Sequence, residues 1–400
     1  MPDVPWLQKT SPAFRLMLAT SWLAPGAWRD LQERAIWEAI EAGPDWAEYL
    51  SLVDRHRTPA LSWSALKRIA GLDLPVHVQQ ELKARSDACR VQALKYVAVL
   101  AEILKAFSRA EIPVMVLKGP ILSFELYGDV GLRQSKDLDL EVSLNDLSRA
   151  RACLEDLGYT LEPSYFLMTP RQEKQFLRRE AHIGLVDPQG LSTLELHWGH
   201  YWDAPGEAAR RWARSFSAIW HGCPYRAMDP VDQVLYLCSH GSQHAWFRAK
   251  WLSDLAGIYA EKTIDWPEVL QAAQNTSRER PLLIGMALLR EVYGLPLPQV
   301  ELNPSERLPG FLVEEPLRSL KCPQEILEFG TLVRLLDVIR KSRYYHLLWQ
   351  QRTWRQSLAE LFYYRDDFRA LPLPDHFFWL YIPLRPFSWL WRKIRGNTSV

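Results

Sequence analysis

The sequence predicts an α+β chain, with helical regions on both sides of one short segment that carries the strands. Three observations lead there. Apolar residues recur at helical spacing over "CRVQALKYVAVLAEILKAFSRAEI", where Leu94, Val97, Ala101 and Leu104 form a stripe that Leu100, Ile103 and Phe107 widen. The texture changes at Pro113, where "PVMVL" is a short β-branched run closed by Lys118, Gly119 and Pro120. Then "DLDLEV" alternates between acidic and apolar residues, the period of a half-buried strand. On these grounds residues 1–108 are a helical N-terminal region, 109–200 a small α/β core, 201–370 a helical C-terminal domain and 371–400 an aromatic, basic tail.

Taken in order, "WRDLQERAIWEAIEAG" and "DWAEYLSLVDRHR" repeat the helical grain of the N-terminal region, separated by Pro and Gly. After the first strand, "ILSFELYG" is a brief helix and "DLDLEV" the second strand. Ser143 with Asp146 three residues on reads as a capping-box start for "LNDLSRARACLEDLGY", and Gly158 as its stop. "AHIGLV" and "STLELHW" flank "DPQG", where Pro188 and Gly190 suit positions two and four of a type I turn, so the pair is a hairpin. From Trp202 onward helices return, the most regular being "DPVDQVLYLCSHGSQHAWFRAKWLSDLAGIYAEK".

Bulk properties narrow the function classes. Lys and Arg number 48 against 47 Asp and Glu, a net charge of +1, so nothing in the composition draws the chain to nucleic acid. The five cysteines are odd in number and contain no C-x-x-C pair, which argues against a disulfide framework and a thiolate zinc site. The N-terminus is a poor signal peptide, and no stretch reaches the ~18 apolar residues of a membrane span. The expectation is a cytoplasmic protein.

Side chains on a strand alternate between faces, so Asp137, Asp139 and Glu141 share one and Leu138, Leu140 and Val142 the other. The apolar face belongs to a core. The acidic face repels itself unless a cation joins it, although a solvated edge is the commoner setting for a lone D-x-D. Magnesium takes hard oxygen ligands, one or two carboxylates plus phosphates. A neighbouring strand, "LSTLELHW", offers Glu195 with His197 on its own polar face. Glu141 is expected to rim the site or pair with a cation. His240 and His244, at i and i+4, have the spacing to grip zinc, but without an H-E-x-x-H pattern they read as structural histidines. Asp254 reads as a buried carboxylate paired with Arg248, Lys250 or a site histidine. The tail "FFWLYIPLRPFSWLWRKIRG", with Arg392, Lys393 and Arg395, suits either a peripheral membrane contact or a strap packed over the protein, the second preferred.

Lys118-Gly119, Tyr127, Arg133 placed before Asp137-x-Asp139, Gly158-Tyr159, "LELHW" from Leu194 to Trp198 and "WLSDLA" after His240 together resemble the uncharacterised nucleotidyltransferase family of the polymerase-β-like superfamily. The resemblance runs from roughly residue 90 to 290. It implies a polymerase-β-like nucleotidyltransferase core, a small mixed sheet with helices. It also implies transfer of a nucleoside monophosphate from an NTP to an unidentified small-molecule or protein acceptor, dependent on Mg²⁺ (or Mn²⁺). Asp137 and Asp139 match the metal ligands, and Glu195 the third carboxylate, as ligand or base. Where the superfamily has Gly-Ser this chain has Gly119-Pro120, so phosphate binding falls to Lys118, Gly119, Arg133 and backbone amides, with Ser123 or Ser135 as hydroxyls and His197 orienting Glu195 or meeting the acceptor. The same departure leaves an alternative: a catalytically inactive nucleotide-sensing or protein-interaction module that keeps the fold.

Overall fold

A computed structural model describes residues 5–163, 165–166, 168–190, 192–261, 264–296, 308–322, 331–349 and 365–394. The chain opens with α1 (Pro5–Gln8), α2 (Pro12–Thr20), α3 (Arg29–Glu41), α4 (Trp46–His56) and α5 (Pro59–Lys67). Local chemistry sets the ends. The Ser11 hydroxyl and the Asp45 carboxylate accept the Phe14 and Glu48 amides, and Pro12 and Pro59 occupy first turns where no amide is needed. The long helix α6 (Val76–Arg109) then crosses from the helical layer to the sheet. Its buried face runs through Ala93, Tyr96, Leu100, Ile103, Leu104 and Phe107. This corrects the expected stripe, since Leu94 is 56% exposed.

Among the described residues the sheet has seven strands in the order β3-β4-β5-β2-β1-β7-β6. These are β1 (Met115–Val116), β2 (Asp137–Glu141), β3 (Thr160–Leu161), β4 (His182–Val186), β5 (Thr193–His197), β6 (Phe216–Trp220) and β7 (Cys223–Ala227). β2 runs parallel to β5 and β1 parallel to β7; the remaining pairs are antiparallel, so the sheet is mixed. The expected strands and the 182–197 hairpin form as read. Between the strands lie α7 (Pro120–Tyr127), α8 (Leu147–Asp156), α9 (Pro170–Arg179) and α10 (Glu207–Arg214). Ser143 and Asp146 bond to each other in a turn, so α8 begins at Leu147, later than a capping box at Ser143 implies. Gly158 does follow its end, at φ +88°, a conformation that favours glycine.

Beyond residue 200 the sequence reading expects helices, yet β6 and β7 form a hairpin that extends the sheet through β1. His221 and Gly222, both at positive φ, make its two-residue turn. Helices then follow: α11 (Pro230–Gln243), α12 (Ala249–Glu261), α13 (Trp266–Asn275), α14 (Glu279–Tyr293), α15 (Phe311–Lys321) and α16 (Thr331–Leu348). No helix among the described residues is long and apolar enough to cross a membrane.

Two large apolar cores and a small third cluster result among the described residues. One gathers α2 to α5, the start of α6 and α11 to α15. The other lies between the end of α6, α8 and the apolar sheet face, where Leu138, Leu140, Leu194 and Leu196 are fully buried. Tyr236 of α11 lies within electrostatic reach of Lys118, Asp139 and Glu195 on the opposite, polar sheet face. In the tail, Phe378 and Tyr381 pack with Phe368, and Tyr381 accepts a hydrogen bond from Gln172 on α9, as a strap would. Arg395 and the side chains of Arg392 and Lys393 lie outside the described residues.

Candidate active site

Strand register assembles the polar face. β2 and β5 pair so that Asp139 stands beside Glu195 and Glu141 beside His197. β4 enters antiparallel on the other side of β5, with His182 opposite His197 and Gly184 opposite Glu195. Paired residues project to the same face, so Asp137, Asp139, Glu195, His197 and His182 share one patch. Lys118, at the end of β1, reaches it from the neighbouring strand, its Nζ 3.1 Å from Asp139 Oδ1. His197 Nε2 lies 3.5 Å from that oxygen and 3.3 Å from Glu195 Oε2.

Asp139 is 1% exposed and His197 8%. Among the described residues neither oxygen of Asp139 and neither ring nitrogen of His197 makes a geometrically sound hydrogen bond. The close approaches are therefore charge contacts rather than directed bonds. Burial opposes ionisation of Asp139, but Lys118 and His197 outweigh it and hold the carboxyl below its ordinary range. Burial also opposes Glu195, whose carboxyl His197, His182 and Lys118 nevertheless bring down to about 2. For His197 burial disfavours the charge, and Asp139 and Glu195 raise it to about 9. A buried, ionised carboxylate with unbonded lone pairs, next to two more carboxylates on one face, is a donor set that fits a divalent cation.

The expected phosphate ligands divide. Gly119 has φ +85° and Pro120 opens α7, so the turn after Lys118 forms as its composition implies, but the first helical residue brings no amide. Arg133 is 3% exposed and spent elsewhere: its Nε donates to Asp254 Oδ1 at 2.8 Å and its Nη1 to the Ser135 hydroxyl at 3.2 Å. The Ser123 hydroxyl donates to the Asp129 carbonyl and accepts the Arg133 amide. Arg133, Ser123 and Ser135 thus brace the loop before Asp137, and Asp254 pairs with Arg133 rather than with the expected Arg248, Lys250 or site histidine.

Three further cations, to which the sequence reading gave no phosphate role, lie within electrostatic reach of the site or of one another. Arg57 ends α4 in a left-handed conformation, φ 58°, and among the described residues pairs with no carboxylate, though it feels the Asp137 charge. Arg248 donates to the Arg55 carbonyl; burial, Arg57 and Arg55 push its guanidinium down to about 10. Lys250 is buried with Gln134 O as acceptor, and burial with Arg133 and Lys118 drives its ammonium well down. Cations whose burial and mutual repulsion outweigh the nearby acids are receptive to an anion. A basic run, "DRHR", at the end of a predicted helix was the available signal.

Glu141 is saturated rather than free. Both its oxygens accept from Arg211 Nη2 at 3.0 Å, Oε1 accepts from Trp212 Nε1, and His200 Nε2 lies 3.2 Å from Oε2. Arg211 and Arg278 both reach Asp203, which closes a buried ion network. Burial and Arg211 lower His200 to about 4. His240, half-buried, and His244, exposed, stack with Tyr236 and Trp251, so both rings are taken up in aromatic contacts. The group of metal-ligating type among the described residues is His182, Glu195 and His197; His182 went unnoticed because its strand shows no acidic alternation.

A family model described as uncharacterised nucleotidyltransferase matches residues 42–294. No curated protein matches. Two solved structures resemble part of the chain, each 15% identical with a TM-score of 0.33 over 46% of its length. One is the solution structure of the antibiotic-resistance factor ANT(2'')-Ia, covered over 93% of its length. The other is the crystal structure of ANT(2'')-Ia in complex with adenylyl-2''-tobramycin, covered over 98%.

Proposed function

Because the chain belongs to the uncharacterised nucleotidyltransferase family, we propose that it moves a nucleoside monophosphate from an NTP to a small-molecule or protein acceptor, on a polymerase-β-like core. One observation carries the reading. Asp139, buried and in register with Glu195, keeps both oxygens unbonded among the described residues while Asp137 stands two residues away on the same face.

A Mg²⁺ or Mn²⁺ ion held by Asp137, Asp139 and Glu195 would neutralise charge on the transferring phosphoryl group. Lys118 keeps Asp139 ionised and lends positive charge to the same space. A carboxyl at about 2 is a weak proton acceptor, so Glu195 acts as a ligand rather than a base. Arg57 and Arg248 take the triphosphate tail, the part expected of Arg133.

Asp139→Asn and Asp137→Ala are expected to cut transfer by roughly a hundredfold or more, with the circular dichroism spectrum unchanged. The assay incubates the protein with labelled NTPs, Mg²⁺ and a cell extract, then follows label into an acceptor. Full turnover in either variant sinks the reading. Pro120, which gives no amide to a phosphate, favours a nucleotide-sensing module instead. Calorimetry that finds no Mg²⁺-dependent NTP binding would support that second reading.

A further inference from the structure

We infer that His182, Glu195 and His197 form a binding site for a divalent transition-metal ion of the zinc class, chemically distinct from the all-oxygen pair Asp137 and Asp139. The three residues each offer a ligand atom, and these atoms lie within 4.8 Å of one another. Strand pairing rather than loop chance brings them there: His182 faces His197 across β4 and β5, and Glu195 precedes His197 by two on the same face. The two imidazole rings are 5.0 Å apart. His182 Nδ1 and both nitrogens of His197 are buried without a hydrogen-bond partner among the described residues. Buried imidazole nitrogens are seldom left so, and a metal ion would take up one on each ring.

The donor set decides the class of ion. Magnesium seeks oxygen ligands and octahedral geometry. Imidazole nitrogen suits zinc, copper, iron and nickel, and two histidines with a carboxylate leave positions open for water or substrate. Gly184, on the same face and opposite Glu195, contributes by lacking a side chain. A Cβ there would meet the Glu162 carboxylate at 2.5 Å, so the glycine admits a further negative charge beside the triad. The site deepens the nucleotidyltransferase reading, with which it shares Glu195, but its test needs no nucleotide.

The test is a titration of the chelator-stripped full chain with Zn²⁺ by calorimetry and with Co²⁺ by visible absorption, Mg²⁺ serving as the comparison. The expected result is one Zn²⁺ or Co²⁺ per chain, bound at least tenfold more tightly than Mg²⁺. His182→Asn and His182→Ala should weaken Co²⁺ binding by at least the roughly ten- to hundredfold seen when a supporting group is lost, with the thermal melt showing a folded chain. Asp137→Ala should leave the Co²⁺ spectrum in place. Wild-type protein that takes up no Zn²⁺ or Co²⁺, or a folded His182 variant that binds Co²⁺ as wild type does, overturns the proposal. Loss of NMP transfer with Zn²⁺ binding intact counts against the proposed function alone, and the converse result against this site alone.

Discussion

Arg57 and Arg248 place two guanidinium groups close enough to repel each other, with Asp137 as the carboxylate that Arg57 senses. An arriving triphosphate relieves that repulsion, so each residue should count in binding. Arg57→Ala or Arg248→Ala is expected to cost about 1.5–3 kcal/mol of Mg–NTP affinity, as charge-assisted hydrogen bonds do. Calorimetry reads this directly, and wild-type affinity in both variants would remove them from the site. Apart from the basic run that ends α4, neither role was legible in the sequence. Asp137, Asp139, Glu195 and His197 announce themselves through a period of two, which strand geometry enforces. Arg57 carries no periodic signal: its direction depends on where α4 ends and on the left-handed turn it adopts there. Arg133 shows the reverse error. Its spacing to Asp137 was visible, but the burial that commits it to Asp254 was not.

At the scale of the element, the link between α11 and α12 sets where Arg248, Lys250 and Asp254 fall. Trp246 closes that link at φ 52°, fully buried, its amide donating to the Gly241 carbonyl and its indole to Ser242. A Cβ on Gly241 would come within 2.6 Å of three indole carbons. The ring is enclosed by α14 as well, since a Cβ at Gly285 would stand 3.6 Å from it. Gly241→Ala gains about 1 kcal/mol in helix propensity but overpacks a rigid ring, which typically costs about 1–3 kcal/mol. The expected outcome is a lower urea midpoint; an equal or higher one would show that the loop yields. Strand pairing had the opposite legibility. Strictly alternating β2 was plain, whereas β6 and β7 were missed because β6 lies at the sheet edge, exposes Phe216 and Ile219, and faces Pro224 in its partner. Such a strand owes its existence to the ladder it joins.

For the whole molecule, buried histidines govern the response to acid. Burial and neighbouring cations lower His56 to about 3, burial and Arg211 lower His200 to about 4, and burial with Lys118 holds half-buried His240 well below its ordinary value. Each folded value lies below the ordinary 6.5, so the unfolded chain binds more protons between the two. Stability is therefore present above pH 6.5 and lost as pH falls toward about 4. Several groups act together, so the slope should exceed the ~1.4 kcal/mol per pH unit of a single site. In metal-free protein His197, raised to about 9, works with the opposite sign: its contribution is complete below 6.5 and fades as pH climbs to about 9. Urea denaturation across this range in chelator should show a maximum near pH 6.5, and a flat profile would contradict it. The sequence by itself determined the acidic and apolar faces of β2 and β5, the helical stripes and the turn after Lys118, because backbone periodicity and local sterics act over a few residues. Only the tertiary structure decided which cations stand beside the acids, that Glu141 is consumed by Arg211, and that His182 joins Glu195 and His197. Charge and metal ligation are settled by distances between segments far apart in the chain, and those distances exist only once the two cores have packed.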